Sequence, residues 1–221
     1  MTAAVGCGLV APRVAAAAPA RADHVLIMGA PGLRWGDVNP RDTPTLWKLA
    51  SDSAIGSLVP RSAQARTCPG DGWLTLGAGN LARLNDHNPP AGCGQDLPRV
   101  KRRAGGAAVL PGHRKILADN QRLAYRARPG VLAEMASCTV AIGKGAAAAA
   151  ARPGVGRVDT YRPRLPEHPG ELLRACPLTV VDLGRVAGEE RQAAVKRVDA
   201  RLKRVLAARP EDSLVLITGV S

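Results

Sequence analysis

The sequence predicts an α/β domain built on a mainly parallel sheet with helices on both faces. Two observations carry this. Short apolar runs at residues 24–30, 54–59, 138–142, 178–183 and 214–218 have the length and the Val, Leu and Ile content of buried strands. Between them stand segments with helical signals, at 43–51, 69–76, 114–126, 130–137, 146–151, 170–174 and 189–208. Strands that alternate with helices need crossover connections, and crossovers put helices on the sheet faces. The 221 residues suit one domain of ordinary size, and 46% hydrophobic residues suffice for a core.

The elements follow in order. The run 24–30 is broken by Pro31-Gly32, which marks a strand ending in a turn. The helix at 43–51 opens with Pro44 and carries Leu46, Leu49 and Ala50. Pro69 suits a first helical position, because it needs no amide partner there and its φ is already set. Residues 80–113 contain Pro89-Pro90, Gly92, Gly94, Pro98, Gly105-Gly106 and Pro111-Gly112, which prevent a long regular element and predict an excursion. Ile116, Leu117, Leu123 and Ala124 make 114–126 amphipathic. Gly143-Lys144-Gly145 joins the strand at 138–142 to the helix at 146–151, and 157–161 reads as a short strand. The longest helix, 189–208, places Ala194, Val195, Val198, Leu202, Val205 and Leu206 on one stripe, and Pro210 ends it.

Phe is absent, and there are three Trp and two Tyr, so the core must be built from Val, Leu, Ile and Ala. The formal charge is +13, carried mostly by Arg. Such a surface attracts phosphorylated ligands, anionic lipid or nucleic acid, or is simply solvated. The basic cluster Arg99-Val100-Lys101-Arg102-Arg103 has no aromatic stacking partner nearby, which argues against nucleic acid. Residues 1–22 read as an export signal, because the apolar, Ala-rich run ends in Ala20-Arg21-Ala22. The folded domain is then 23–221, and no stretch approaches the ~20 apolar residues of a membrane span. Apart from Cys7, four cysteines remain, without Cys-x-x-Cys spacing. Cys68 and Cys93 bracket the helix at 69–76 and the loop after it. Cys138 begins one strand and Cys176 precedes another. The expected disulfides are Cys68–Cys93 and Cys138–Cys176, the alternative being free buried thiols.

Two phosphate motifs are excluded. A Walker loop lacks its first glycine, since Cys138 stands five places before Gly143. A dinucleotide fingerprint after the first strand has Pro31 in its second glycine place. Thr67, by contrast, stands just before a helix start, where a hydroxyl faces unpaired amides and the positive dipole end. By itself this is either an ordinary N-cap or an oxygen nucleophile for a phosphate or sulfate ester.

The segment from Arg66 through Thr67-Cys68-Pro69-Gly70 to Gly77-Ala78-Gly79-Asn80 resembles the nucleophile segment of the alkaline phosphatase superfamily. Thr67, Pro69 and Gly77 match the spacing of its nucleotide pyrophosphatase-like members. Gly72-Trp73-Leu74-Thr75-Leu76-Gly77-Ala78-Gly79 resembles the corresponding run of its phosphoglycerate mutases. Upstream, Thr43-Pro44-Thr45-Leu46-Trp47-Lys48-Leu49-Ala50 is similar to a sulfatase segment. The resemblance covers roughly residues 23–80. It implies a three-layer α/β/α sandwich and Thr67 as the nucleophile, while the helix start itself offers substrate contacts from Arg66 and from the segment Pro69-Gly70, whose amides follow Pro69. It also implies one or two divalent metals, usually zinc, otherwise manganese or calcium, held by Asp and His at strand ends.

The metal positions depart from that pattern. The first ligand, an Asp before Gly in the first turn, is Pro31 here. Asp37 lies six residues on and reads either as a substitute ligand or as a solvated turn residue. Asp182 matches the second set, or caps the segment after its own strand, and Arg185 stands where a His is expected. Only Gly219-Val220-Ser221 follow the last strand, where the third set, Asp-His-Gly, belongs. His87, His113 and His168 have no paired spacing and read as surface histidines. The resemblance therefore implies an exported, degenerate or truncated member of the superfamily that binds phosphate or sulfate groups of an anionic small molecule. The alternative is a metal-dependent phosphoric or sulfuric ester hydrolase with Thr67 as nucleophile and Asp37 and Asp182 as ligands.

Overall fold

Five parallel strands form the centre of the molecule, in the order β6-β4-β7-β1-β8. The computed structural model describes residues 22–84, 93 and 97–221. Along the chain these strands are β1 (His24–Gly29), β4 (Thr139–Ile142), β6 (Thr160–Arg162), β7 (Leu178–Asp182) and β8 (Ser213–Thr218). A second, small antiparallel sheet joins β2 (Lys101–Arg102), β3 (Ala108–Val109) and β5 (Arg157–Val158). The helices are α1 (Pro44–Asp52), α2 (Pro69–Ala78), α3 (His113–Gln121), α4 (Val131–Glu134), α5 (Lys144–Ala150), α6 (Gly170–Arg174) and α7 (Arg191–Ala208).

Side chains alternate along the strands, so the sheet separates two cores. Ile27, Ala141 and Val180 face one core, which Trp73 and Leu74 of α2 and the alanines of α5 complete. Leu26, Met28, Val140, Ile142 and Val181 face the other, against Leu46 of α1, Leu173 of α6 and Val195, Val198, Leu202 and Val205 of α7. Both faces are covered, which is why β1, β4 and β7 read as nearly continuous apolar runs. Alanine replaces the missing Phe as the packing residue: Ala146 to Ala151 are all fully buried, and α5 lies close against α2 and the sheet. Outermost β8 leaves Leu214 and Leu216 about half exposed.

Both expected disulfides are present, Cys68–Cys93 and Cys138–Cys176. Residues 54–59 are not a strand. All six are exposed, and among the described residues no strand pairs with them. Their apolar content supplies propensity but no hydrogen-bonding neighbour, and a strand needs one. Among the described residues of the excursion, regular structure is limited to the two-residue strands β2 and β3 and a 3-10 turn at Ala104–Gly106. The expected export segment and His87 lie outside the described residues, except for Ala22. Among the described residues no helix is long and apolar enough to cross a membrane.

Candidate functional site

Because the five strands are parallel, Gly29, Ile142, Arg162, Asp182 and Thr218 all end at one edge of the sheet, where α/β proteins place their sites. The start of α2 is brought to this edge. α5 begins there, directly after β4, and α2 runs beside it in the same direction. Trp73 meets Gly145 at the start of α5, and Gly77 meets Ala149 near its end. This packing needs small residues. A Cβ on Gly145 would fall 2.1 Å from the Trp73 indole nitrogen, and one on Gly72 would fall 1.8 Å from the Val220 carbonyl oxygen. The indole nitrogen, Nε1, is buried and has no hydrogen-bond partner among the described residues.

Pro69 occupies the first helical position, as its fixed φ favours. The N-cap is therefore Cys68, not Thr67, and it is anchored by its disulfide. Thr67 is half-buried one residue earlier, and its hydroxyl donates to the Pro60 carbonyl at 3.2 Å. Arg66 is exposed beside it, while Pro69 and Gly70 are buried. Asp71, one turn into the helix and also buried, accepts a 2.7 Å hydrogen bond from the Leu84 amide and ties the following loop to α2. An acidic residue in a first helical turn is the signal that marks it in the sequence.

Asp37 is not solvated. It sits in the turn Trp35–Asp37, its side chain 13% exposed, and both its carboxylate oxygens accept from Arg191 of α7. The same guanidinium donates to the carbonyls of Gly32 and Val186, so it fastens the first turn to α7. Pro31 is buried, and its carbonyl accepts from the Val186 amide at 2.8 Å.

Asp182 ends β7 and points to the other face. Its carboxylate accepts from the Gly184 amide at 3.0 Å and the Gly145 amide at 3.2 Å, capping its own turn and the start of α5 together. Burial raises the pKa of this carboxyl above its ordinary value, against the pull of the two amides and the Arg201 charge. Arg185 is exposed.

His113 corrects the surface reading. It is 1% exposed at the start of α3, packed against Gly156 and Leu110. Burial lowers its pKa, opposed by the nearby Gly154 carbonyl. Its Pro/Gly-rich surroundings suggested an exposed loop, but those turns fold over it. His168 is exposed as expected.

The carboxyl edge thus gathers Thr67, Pro31, Asp182 and the segment after β8. Asp37, fastened to α7, and Asp182, fastened to α5, are held toward opposite helical layers. Among the described residues no three or more His, Cys, Asp or Glu side chains gather into a group that could hold a metal ion. No model of a known protein family matches the chain, and no curated protein matches it.

Proposed function

We propose that this chain is an exported domain of the alkaline phosphatase type that binds phosphate or sulfate groups at the start of α2 without hydrolysing their esters. Four features support the kinship: the nucleophile-like segment, the all-parallel central sheet, helices on both its faces, and the delivery of Thr67 to the carboxyl edge. The two disulfides and the lack of a membrane-crossing helix among the described residues agree with export.

The observation that carries the non-catalytic reading is the engagement of both candidate ligands. Asp37 is neutralised by Arg191, and Asp182 accepts two backbone amides. The two carboxylates are held toward opposite helical layers, neither belongs to a group of three or more His, Cys, Asp or Glu side chains among the described residues, and Pro31 offers no ligand atom in a side chain. A threonine hydroxyl is a poor nucleophile until a metal or base activates it. A helix dipole contributes roughly 1 kcal/mol to anion binding, whereas ordinary enzymatic rate enhancement needs about 8 kcal/mol or more. The helix start therefore serves binding, with Arg66 and the amides that follow Pro69 as the anion contacts.

The test is hydrolysis of an aryl phosphate, an aryl phosphodiester and an aryl sulfate with added zinc, manganese or calcium, together with titration by inorganic phosphate and sulfate. We expect binding that weakens in Arg66→Ala, and no turnover. Metal-dependent turnover abolished by Thr67→Ala would establish the hydrolase reading instead, with Asp37 and Asp182 released as ligands.

A further inference from the structure

Beside β6, the outermost strand on the side of the central sheet away from β8, lies a cavity of about 530 Å³. None of Arg66, Thr67, Pro69 and Gly70 is among its lining residues, so this cavity is distinct from the α2 site. Its charged lining is Arg102, Arg103 and Arg162, and no carboxylate is among its lining residues. Tyr161, 4% exposed, completes the lining. Among the described residues none of the three guanidinium groups forms an ion pair.

The arrangement is built by tertiary pairing. Arg102 pairs with Ala108 in the small sheet, and Ala108 pairs with Val158, two residues before β6 begins. The basic cluster of the excursion is thereby laid against Arg162, sixty residues away in sequence. The loop between Arg103 and Ala107 is closed by a 2.8 Å backbone hydrogen bond and passes through Gly105 and Gly106 at φ +70 and +83. Gly106 faces the Arg162 guanidinium: a Cβ there would lie 3.1 Å from Nη1. That nitrogen donates to the Tyr161 carbonyl at 3.0 Å, which fixes the direction of the group. Burial, with the Asp182 charge, raises the pKa of the Tyr161 phenol above its ordinary value, against the pull of Arg102.

Three arginines lining one recess, none in an ion pair among the described residues, suit a tetrahedral oxyanion, which guanidinium binds through paired, charge-assisted hydrogen bonds. The volume admits a small organic molecule attached to that group. We propose that this cavity binds the phosphate or diphosphate group of a small organic anion or of a lipid headgroup. The site stands independently of the reading given to Thr67 and Arg66.

Calorimetric titration of the full chain with inorganic phosphate and with pyrophosphate tests it, alongside phosphatidylcholine vesicles with and without phosphatidate. Pyrophosphate is expected to bind more tightly than phosphate. Arg102→Gln and Arg162→Gln are each expected to weaken the cavity's pyrophosphate binding about tenfold, while Arg66→Ala removes only the separate contribution of the α2 site. All three side chains are exposed, so circular dichroism and thermal unfolding should match the wild type. Preference for soluble pyrophosphate supports a free ligand, and preference for phosphatidate vesicles supports a headgroup. No binding to either, or binding that Arg102→Gln and Arg162→Gln leave unchanged, overturns the proposal. Loss of all binding in Arg66→Ala also overturns it and assigns the anion to the α2 site.

Discussion

The guanidinium of Arg191 grips the carboxylate of Asp37 across 154 positions of sequence, with Nε 3.1 Å from Oδ1 and Nη2 on Oδ2. One side chain thereby joins the turn after β1 to the first residue of the longest helix. Removing it leaves a largely buried carboxylate without its partner and releases the Gly32 and Val186 carbonyls. Arg191→Ala is expected to cost about 2–4 kcal/mol of stability, read by urea denaturation. A change within error would show that the pair contributes nothing net.

The contact between α2 and α5 depends on the absence of side chains. Gly145→Ala places a methyl group 2.1 Å from Trp73 Nε1, and Gly72→Ala places one 1.8 Å from a backbone oxygen. Each variant should lose about 2–3 kcal/mol, and Gly72→Ala the more, because the Val220 backbone yields less readily than a ring. Midpoints of chemical denaturation give the ranking.

Asp182 gives a pH signature with a definite sign. Its folded-state pKa is raised, so between its unfolded and folded values the native state holds the proton more tightly. The stability of the wild type relative to Asp182→Asn is therefore greatest at acid pH, below the unfolded value. It falls as pH rises through the raised folded value. Urea denaturation of both proteins across the acid range measures the difference. A relative stability that rises with pH would mean that the two amide bonds outweigh burial.

The Cys138–Cys176 bridge closes a loop of 38 residues. In the chain-entropy model such a loop contributes about 3–4 kcal/mol. Replacing both cysteines by alanine should lower stability by that amount, and the corresponding change at Cys68–Cys93, with a separation of 25, by slightly less. Peptide mapping without reductant checks the pairing itself.

The reading of the nucleophile-like segment bears on activity. Aryl phosphate and aryl sulfate should remain unhydrolysed with zinc, manganese or calcium present, and Thr67→Ala should not change that background rate. A metal-dependent rate that disappears in Thr67→Ala would reverse the assignment.

Local physics made much of this architecture legible beforehand. The apolar runs that became β1, β4, β7 and β8 needed only their own composition. Pro69 announced the start of α2, and the stripe from Ala194 to Val205 announced the buried face of α7. The bridges followed from where four cysteines fell relative to those elements. Contacts distant in sequence carry no such local trace. Residues 54–59 have strand-like composition, but among the described residues no strand pairs with them. Asp37 looked solvated because its partner is 154 residues away, and His113 looked exposed because its neighbours are turns that fold over it. Arg102 and Arg162 line one cavity only because β3 pairs on one side with β2 and on the other with β5. Propensity and periodicity act over a few residues and are written in the chain, whereas burial, ion pairing and the shape of a cavity arise from which segments meet, and folding sets that.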